Sequence, residues 1–522
     1  MNCVVAKTFT DHANHDDFDD HGETKPREEC GVFGVWAPGQ EVSKLTYFGL
    51  YAIQHRGQEA AGMAVGGEDR LLVFKDMGLV SNVFDESLLE SLQGDVAIGH
   101  NRYSTAGGKE WANVQPMFGT SKNGTDVALA HNGNLTNYLE LRTMAEERGV
   151  ITEGDTSSDT AVMSALLADD VSEEKSVLES AAQLLPKVQG AFSLTFTDGK
   201  TLYAARDPHG VRPLVLGRLE RGWVVASETC ALDIVGAQFI REIEPGELIA
   251  IDEAGVRTQR FAETTHKGCV FEYVYLARPD STIRGRNVNA TRLEIGKRLA
   301  QTHPADGDLV IPVPESGTPA AVGYARESGI PFGQGLVKNA YVQRTFIQPT
   351  QTLRQLGIRL KLNPLREVIE GQRLVVVDDS IVRGNTQRAL IKMLREAGAA
   401  EVHVRIASPP VKWPCFYGID FATPAELIAN IGGDDSLEGM TETIRTAIGA
   451  DSLGFVSIDE MVAATEQPAQ QLCTACFDGK YPLGLPEGNS NADAVRTLLG
   501  NPAMPNSTAS TASAASTRST NS

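Results

Sequence analysis

The chain has 522 residues, of which 42% are hydrophobic and 22% are charged, and its formal net charge is −20. This length predicts two or more domains with separate cores, and the acidic balance argues against a general nucleic-acid or anionic-membrane binder. No apolar run approaches the roughly 18 residues that span a bilayer, and the first 29 residues lack the apolar core of a secretory signal. We therefore expect a cytoplasmic protein.

Residues 1–29 are polar and acidic, and they predict a disordered leader. A metal-binding tail is the less favoured interpretation of their His and Asp residues. Ordered sequence begins at Cys30 with a strand-like apolar run to Trp36. Short strand-like runs then recur to about residue 263, and helical stretches near 137–148, 158–168 and 173–188 interrupt them. Strands on both sides of a helical block predict a layered α+β domain with largely antiparallel sheets over residues 30–262.

From about Cys269 onward, helices and strands alternate. The predicted helices lie near 290–301, 319–328 and 387–397, and the predicted strands near 309–312, 335–337, 374–377 and 401–408. Such alternation predicts a mostly parallel α/β sheet over residues 263–488. Residues 342–364 have no steady period and predict a long loop, of the kind that often serves as a lid. Residues 489–522 predict a disordered tail.

The most informative segment of this half is Leu374–Thr386. Four apolar residues predict a buried strand, two adjacent carboxylates follow, and a helix begins near Gln387. The start of a helix after a strand and a short polar loop favours a bound phosphate. The acids Asp378 and Asp379 would repel that phosphate unless they hold Mg²⁺ or ribose hydroxyls. A solvated surface turn is the alternative.

This thirteen-residue string resembles the phosphoribosylpyrophosphate (PRPP) loop of type I phosphoribosyltransferases. The resemblance implies PRPP contacts along Asp378, Asp379, Ser380, Ile381, Val382, Arg383, Gly384, Asn385 and Thr386. It also implies one Mg²⁺ per subunit, held near both acids and Ser316. A lid-like segment supplies the cations Lys338, Arg344 and Lys361, which would neutralise departing pyrophosphate. A solvated charged face is the alternative for those cations.

In the first half, order begins at Cys30, directly after Glu28 and Glu29. If the leader were removed, Cys30 would carry a free α-amino group. That amine titrates near pH 8 and can act as the base for its own thiol. A deprotonated thiol is a good nucleophile toward a carboxamide.

Three further strings make the first half resemble the class II glutamine amidotransferases, which have the N-terminal-nucleophile hydrolase fold. The strings are Gly99–Thr105, His131–Leu135 and Ser157–Thr160. The resemblance implies that Arg102 holds the glutamine α-carboxylate and that Asp159 receives its α-amino group. It further implies that Asn132 and the Gly133 N–H form an oxyanion hole. Taken singly, Arg102 also fits a surface cation, Asp159 a helix cap, and Asn132 with Gly133 an ordinary turn.

The seven cysteines, at positions 3, 30, 230, 269, 415, 473 and 476, are too sparse to indicate a disulfide framework. Cys473 and Cys476 form a C-x-x-C pair, and with Cys269 and Cys415 they supply the four thiolates of an iron–sulfur cubane. Structural zinc is the alternative. Cys3 and Cys230 receive no role, and Cys230 is expected to be buried packing.

Joined in this order, residues 28–485 resemble the glutamine PRPP amidotransferase family. The resemblance implies that glutamine, PRPP and water give 5-phosphoribosylamine, glutamate and pyrophosphate, the committed step of purine synthesis. Ammonia released at Cys30 would pass to the PRPP site. One subfamily carries a structural [4Fe–4S] cluster, one per subunit, and a leader that is removed, and the cysteine strings here resemble it. The family also implies a homotetramer and feedback inhibition by purine nucleotides.

Two other functions compete with this interpretation. A PRPP-sensing regulatory protein would lack the glutaminase half, and the net charge of −20 opposes the DNA binding such proteins need. Another class II amidotransferase would have an unrelated second domain, which the loop at 374–386 opposes. We expect no nucleic-acid or membrane partner.

Overall fold

A computed structural model of the chain describes residues 30–67, 70–103, 111–152, 158–339, 362–419, 421, 423–432 and 436–499. The strands of the amino-terminal half are β1 (Gly31–Trp36), β2 (Ala60–Gly66), β3 (Leu71–Met77), β4 (Val96–Arg102), β5 (Met117–Thr120), β6 (Asp126–Leu135), β7 (Gly190–Thr197), β8 (Leu202–Arg206), β9 (Val215–Leu219), β10 (Gly222–Ala226), β11 (Gln238–Glu242), β12 (Glu247–Asp252) and β13 (Gly255–Arg260). The helices are Val42–Ala52, Val80–Val83, Glu86–Ser91, Tyr138–Glu147, Asp159–Asp170, Val177–Leu184 and Thr229–Ile234.

These strands form two antiparallel sheets, ordered β11-β9-β10-β1-β4-β2-β3 and β13-β12-β8-β7-β6-β5. The sheets pack face to face, because residues such as Val32 and Ile98 of the first share an apolar cluster with Ala128 and Ala204 of the second. Helix Val42–Ala52 covers the outer face of the first sheet. Three helices between residues 138 and 184 cover the outer face of the second. The result is a helix–sheet–sheet–helix sandwich, the layered α+β arrangement that the sequence predicts.

The carboxy-terminal half is built on a parallel sheet in the order β17-β20-β21-β22. Its strands are β14 (Gly268–Cys269), β15 (Thr282–Ile283), β16 (Arg286–Asn287), β17 (Leu309–Pro312), β18 (Leu336–Lys338), β19 (Leu362–Pro364), β20 (Arg373–Asp378), β21 (Glu401–Ile406), β22 (Ser452–Phe455) and β23 (Leu472–Cys473). The helices are Val288–Thr302, Thr318–Ser328, Arg366–Ile369, Asn385–Glu396, Leu437–Ile448, Ile458–Thr465, Ala475–Asp478 and Ser490–Leu498, with a π-helical turn at Glu272–Leu276.

Strand β20 is buried on both faces. Val375 and Val377 pack into one apolar cluster, and Leu374 and Val376 pack into another on the opposite face. A strand with apolar side chains on both faces can lie only in the middle of a covered sheet. The continuous apolar run of β20 therefore agrees with its place between two parallel neighbours, β17 and β21.

The predicted disordered tail, residues 489–522, is wrong at its start, because Ser490–Leu498 forms a helix. The Asn489 side chain caps this helix by accepting from the N–H groups of Asn491 and Ala492. Ala492 and Val495 are fully buried against the second half, so tertiary packing outweighs the polar composition. Residues 500–522, like the leader, lie outside the described residues. None of the helices in the described ranges is long and apolar enough to cross a membrane.

Candidate active sites

Cys30 lies at the start of β1, close to the end of β4. Gly31 pairs with Asn101 in the β1–β4 register, which brings Cys30 next to Arg102, the last residue of β4. Cys30 is 7% exposed, and its thiol donates a hydrogen bond to the Tyr103 carbonyl over 3.5 Å. The predicted nucleophile therefore sits in a buried position at the junction of two central strands.

Burial raises the pKa of the Cys30 thiol to about 11. The cation of Arg102 acts in the opposite direction, and the carboxylates of Asp159 and Glu59 add to the increase. The charges of Arg102 and Asp159 therefore act on Cys30, so the structure brings these three predicted residues into one site. With its backbone still joined to residue 29, this thiol is protonated at neutral pH and needs a base.

Asp159 is the first residue of helix Asp159–Asp170 and faces the end of β6. Its Oδ2 accepts from the Leu135 N–H at 3.2 Å and lies 3.7 Å from His131 Nδ1. Burial raises the pKa of this carboxyl, but the His131 imidazole and the backbone donors outweigh burial and lower it overall. Asp159 is thus held as a carboxylate, the form that binds an ammonium group.

Asn132 and Gly133 lie in β6, on the second sheet. The Asn132 side chain is fully buried, and neither its Nδ2 nor its Oδ1 has a hydrogen-bond partner within the part of the chain that the structure describes. An unsatisfied buried polar group costs about 1–3 kcal/mol, and so calls for an explanation. Gly133 has φ 146°, and a Cβ there would lie 2.0 Å from the Ala191 carbonyl oxygen. Only glycine fits this backbone.

The second site lies at the carboxyl end of β20. Asp378, Asp379 and Ser380 are at most 3% exposed. The Asp379 N–H donates to Asp378 Oδ1 at 2.9 Å, and the Gln387 amide donates to Asp378 Oδ2. The Ser380 hydroxyl donates to Asp379 Oδ1 at 2.5 Å, and the Ser316 hydroxyl donates to Asp379 Oδ2. The structure thus brings Ser316 to the acid pair, as the sequence predicts.

The remaining loop residues divide into buried and accessible groups. Ile381 and Val382 bury their side chains in the two apolar clusters, and the Val382 carbonyl accepts from the Ile428 N–H at 2.8 Å. Arg383 lies 3.2 Å from Glu426 in an ion pair. Gly384 has φ 75° and immediately precedes helix Asn385–Glu396. This is the strand–loop–helix geometry that favours an anion at the helix start.

The predicted lid cations are only partly described. Lys338, at the end of β18, is exposed and lies 3.7 Å from a Glu315 carboxylate oxygen. Arg344 and Lys361 lie outside the described residues.

The four predicted cluster cysteines line one small cavity together with Arg212, Tyr417 and Tyr481. Cys269 and Cys473 are register partners in the parallel β14–β23 pair. Burial raises the pKa of Cys476 well above its ordinary value, and the neighbouring Cys269, Cys415 and Cys473 add to the increase. Among the described residues, no three Cys, His, Asp or Glu side chains are already arranged as a metal-ion site. Cys230 is buried on helix Thr229–Ile234.

Comparison with known proteins assigns both halves. Residues 100–233 match a family described as a glutamine amidotransferase domain, and residues 289–408 match a phosphoribosyl transferase domain family. The chain is 66% identical over 483 residues to the amidophosphoribosyltransferase of Mycobacterium tuberculosis, covering 92% of this chain and 91% of that protein. It is 46% identical over 460 residues to the Bacillus subtilis amidophosphoribosyltransferase, covering 87% and 94%. The chain belongs to the amidophosphoribosyltransferase family.

A solved structure agrees with this assignment. The glutamine PRPP amidotransferase from B. subtilis, complexed with ADP and GMP, matches with a TM-score of 0.81 and 44% identity, covering 89% of this chain and 100% of that one. The predicted fold class is confirmed: a class II glutaminase domain of the N-terminal-nucleophile type precedes a type I phosphoribosyltransferase domain. The predicted reaction is confirmed with it, so this amidophosphoribosyltransferase converts glutamine, PRPP and water to 5-phosphoribosylamine, glutamate and pyrophosphate.

A buried ionic cluster joins the two halves of this amidophosphoribosyltransferase, and sequence reasoning gave it no role. Arg56 Nε donates to Glu228 Oε1 at 2.5 Å, and Arg56 Nη2 donates to Glu272 Oε2 at 2.5 Å. The three side chains are at most 2% exposed. The sequence feature that could have pointed to Arg56 is the run Gln54–Glu59, which follows a helix and combines polar side chains with a glycine. Glu228 and Glu272 carry no local signal.

Proposed function

We propose that Cys30 attacks the glutamine carboxamide after residues 1–29 have been removed. The observation that supports this is the buried thiol, whose pKa is raised to about 11 beside Arg102 and Asp159. Such a thiol needs a base at neutral pH, and cleavage before Cys30 creates one at the same residue. The α-amine takes the thiol proton and passes it to the departing nitrogen, so the thiolate forms a thioester as ammonia leaves. Water then hydrolyses the thioester to glutamate and restores the Cys30 thiol.

Glutamine is held at both of its charged ends. The Arg102 guanidinium pairs with the α-carboxylate, and the Asp159 carboxylate accepts from the α-ammonium group. The Asn132 amide and the Gly133 N–H donate to the oxygen that becomes negative as Cys30 attacks. The lack of a partner for the buried Asn132 amide among the described residues supports this role.

PRPP is bound by the loop from Asp378 to Thr386. Ser316, Asp378 and Asp379 offer only oxygen donors, and two carboxylates with substrate oxygens and water are a donor set that suits Mg²⁺. These residues would hold one Mg²⁺, which would neutralise pyrophosphate charge. Lys338, Arg344 and Lys361 are proposed to add cations as the pyrophosphate departs. Ammonia then replaces pyrophosphate at the sugar C1, and a water-poor passage closed over PRPP keeps it unprotonated.

A Cys30→Ala variant tests whether glutamine hydrolysis and the use of ammonia take place at separate sites. It should lose glutamine-dependent phosphoribosylamine synthesis and retain the synthesis that uses free ammonia. Mass spectrometry of the wild-type protein should give a mature amino terminus at Cys30. Equal loss of both activities would reject separate sites, and an intact leader on active enzyme would reject the α-amine base.

We further propose a structural [4Fe–4S] cluster on Cys269, Cys415, Cys473 and Cys476. Four thiols in one cavity suit such a cluster, and positive iron would relieve the mutual repulsion of buried thiolates. It would fasten the β23 segment to β14. Anaerobically purified protein should contain iron and sulfide, Cys473→Ser should lose both, and Cys230→Ser should keep both. Zinc without iron in the wild type would eliminate the cluster.

Membership of the family also supports proposals about regulation and assembly. The solved B. subtilis relative is complexed with ADP and GMP, and we propose purine nucleotides as feedback inhibitors here. A homotetramer and a cytoplasmic location complete the proposal. Titration of the activity with nucleotides tests the feedback inhibition, and light scattering tests the homotetramer.

A further inference from the structure

The backbone that carries the proposed oxyanion hole is irregular. Gly133 lies in β6 opposite Phe192 of β7, but its φ of 146° departs from a regular strand. A backbone held in a sparsely populated conformation persists only where its surroundings fix it. The direction of the Gly133 N–H therefore depends on what packs around it.

Part of that packing comes from the other half of the chain. Asn134 Nδ2 donates to the carbonyl of Phe416 at 3.0 Å, across 282 residues of sequence. Gly418 lies so close that a Cβ there would be 3.3 Å from the Gly133 Cα. The segment 416–418 thus lies directly against the Gly133 backbone.

The segment 416–418 is itself firmly held. Arg212 is fully buried, and its Nε and Nη2 donate to the Tyr417 carbonyl at 2.9 and 2.6 Å. The Tyr417 hydroxyl donates to the Gly484 carbonyl at 3.0 Å and accepts from the Leu483 N–H at 3.1 Å. The Phe416 carbonyl is therefore a fixed acceptor.

The same contacts return to the strand beside Asn132. The Arg212 carbonyl accepts from the Ser193 hydroxyl at 3.3 Å, and Ser193 is the register partner of Asn132 on β7. Hydrogen bonds and strand pairing thus form a closed circuit that runs from Asn132 through Ser193 and Arg212 to the segment 416–418, and back through Asn134. Both ends of the Asn132–Asn134 segment are anchored to it.

We propose that Asn134 is a positioning residue for the glutaminase reaction, and that it acts by fixing the Asn132–Gly133 peptide against the segment 416–418. This inference rests on the proposed function of Asn132 and Gly133. Asn134 touches no reacting atom in this account. Its bond to Phe416 keeps the Gly133 N–H aimed at the oxygen of the tetrahedral intermediate.

Asn134→Ala and the isosteric Asn134→Asp both remove the donor. We expect each to lower the glutaminase kcat about 10- to 100-fold, because a misdirected oxyanion donor loses most of its effect. The KM for glutamine and the ammonia-dependent rate should stay within about twofold of wild type, since Arg102, Asp159 and the PRPP site are untouched. Alkylation of Cys30 by iodoacetamide, followed by peptide mass spectrometry, should keep its wild-type rate.

Asn137→Ala is the matched control, because Asn137 Nδ2 donates to the Lys187 carbonyl at 2.9 Å within the same half. It should keep the wild-type kcat. Asn132→Ala is measured in parallel. If Asn132→Ala loses activity while both Asn134 variants keep their kcat, the positioning role is overturned and the oxyanion hole stands. If Asn132→Ala keeps full activity, the proposed oxyanion hole falls and the positioning role with it. Equal loss of the glutamine and ammonia activities in the Asn134 variants overturns the positioning role in favour of general damage.

Discussion

The Glu228→Gln variant tests the ionic cluster that joins the two halves. Glu228 Oε1 lies 2.7 Å from His55 Nε2 and accepts from Arg56 Nε at 2.5 Å. Oε2 accepts from the Arg278 N–H at 2.9 Å and from the Ser281 hydroxyl at 2.6 Å. Both oxygens therefore accept, and whichever way a glutamine turned, its NH₂ group would face a donor.

The expected cost follows from the burial of this pair. Removing one partner of a buried ion pair costs about 3–5 kcal/mol. Arg56 keeps Glu272 as a second partner at 2.5 Å, so we expect the lower end, about 3 kcal/mol. Urea unfolding at pH 7, followed by tryptophan fluorescence, measures the change. Glu442→Gln is the control, because Glu442 pairs with Arg445 on the surface and its loss should leave the midpoint unchanged.

The same variant gives a pH dependence. Burial raises the pKa of Glu228, but His55 and Arg56 outweigh it and hold the pKa well below its ordinary value. The stabilisation is therefore complete above the unfolded pKa of about 4.3 and is lost as the pH falls toward the folded pKa. The gap between wild type and Glu228→Gln should narrow below about pH 4. Equal stability at pH 7, or a gap that persists in acid, would refute this reasoning.

Two further predictions concern the PRPP site. Asp378→Asn combined with Asp379→Asn should lower PRPP-dependent synthesis at least about a hundredfold and leave basal glutaminase activity; normal PRPP turnover would contradict the assignment. Gly384→Ala should raise the KM for PRPP and cost about 1–3 kcal/mol of stability, because its Cβ would lie 2.3 Å from Ile428 Cδ1. Gly449→Ala is its control, since Gly449 has φ 79° but no heavy atom within 4 Å of the added Cβ; equal effects of the two alanines would show that only backbone strain matters.

Local sequence was enough to predict β20 and its loop. Leu374–Val377 is apolar on both faces, and the acids follow at once, so strand, loop and helix could be read from neighbouring residues. The strand Gly31–Trp36 was equally local. In contrast, the Arg56–Glu272 pair joins residues 216 positions apart, and the Asn134–Phe416 bond joins residues 282 apart. No periodicity or propensity reports contacts of that range.

The prediction of disorder over Ser490–Leu498 was wrong for a related reason. The segment's composition of Asn, Ala, Asp and Thr resembles a linker, and only two residues of it, Ala492 and Val495, are buried. Arg496 adds hydrogen bonds to the Leu485 and Pro486 carbonyls. The helix is thus ordered by the surface it meets, which its own residues do not encode.

The contact between Asn134 and Phe416 also has a consequence for the order of events during synthesis. Ribosomes add about 5–20 residues per second, so the 282 residues between these two positions take about 15–60 s to synthesise. Throughout that interval the nascent glutaminase half lacks the segment that its Asn132–Asn134 strand rests on. On the proposed role of Asn134, the chain begins to hydrolyse glutamine at full rate only once the half that uses the ammonia has been made.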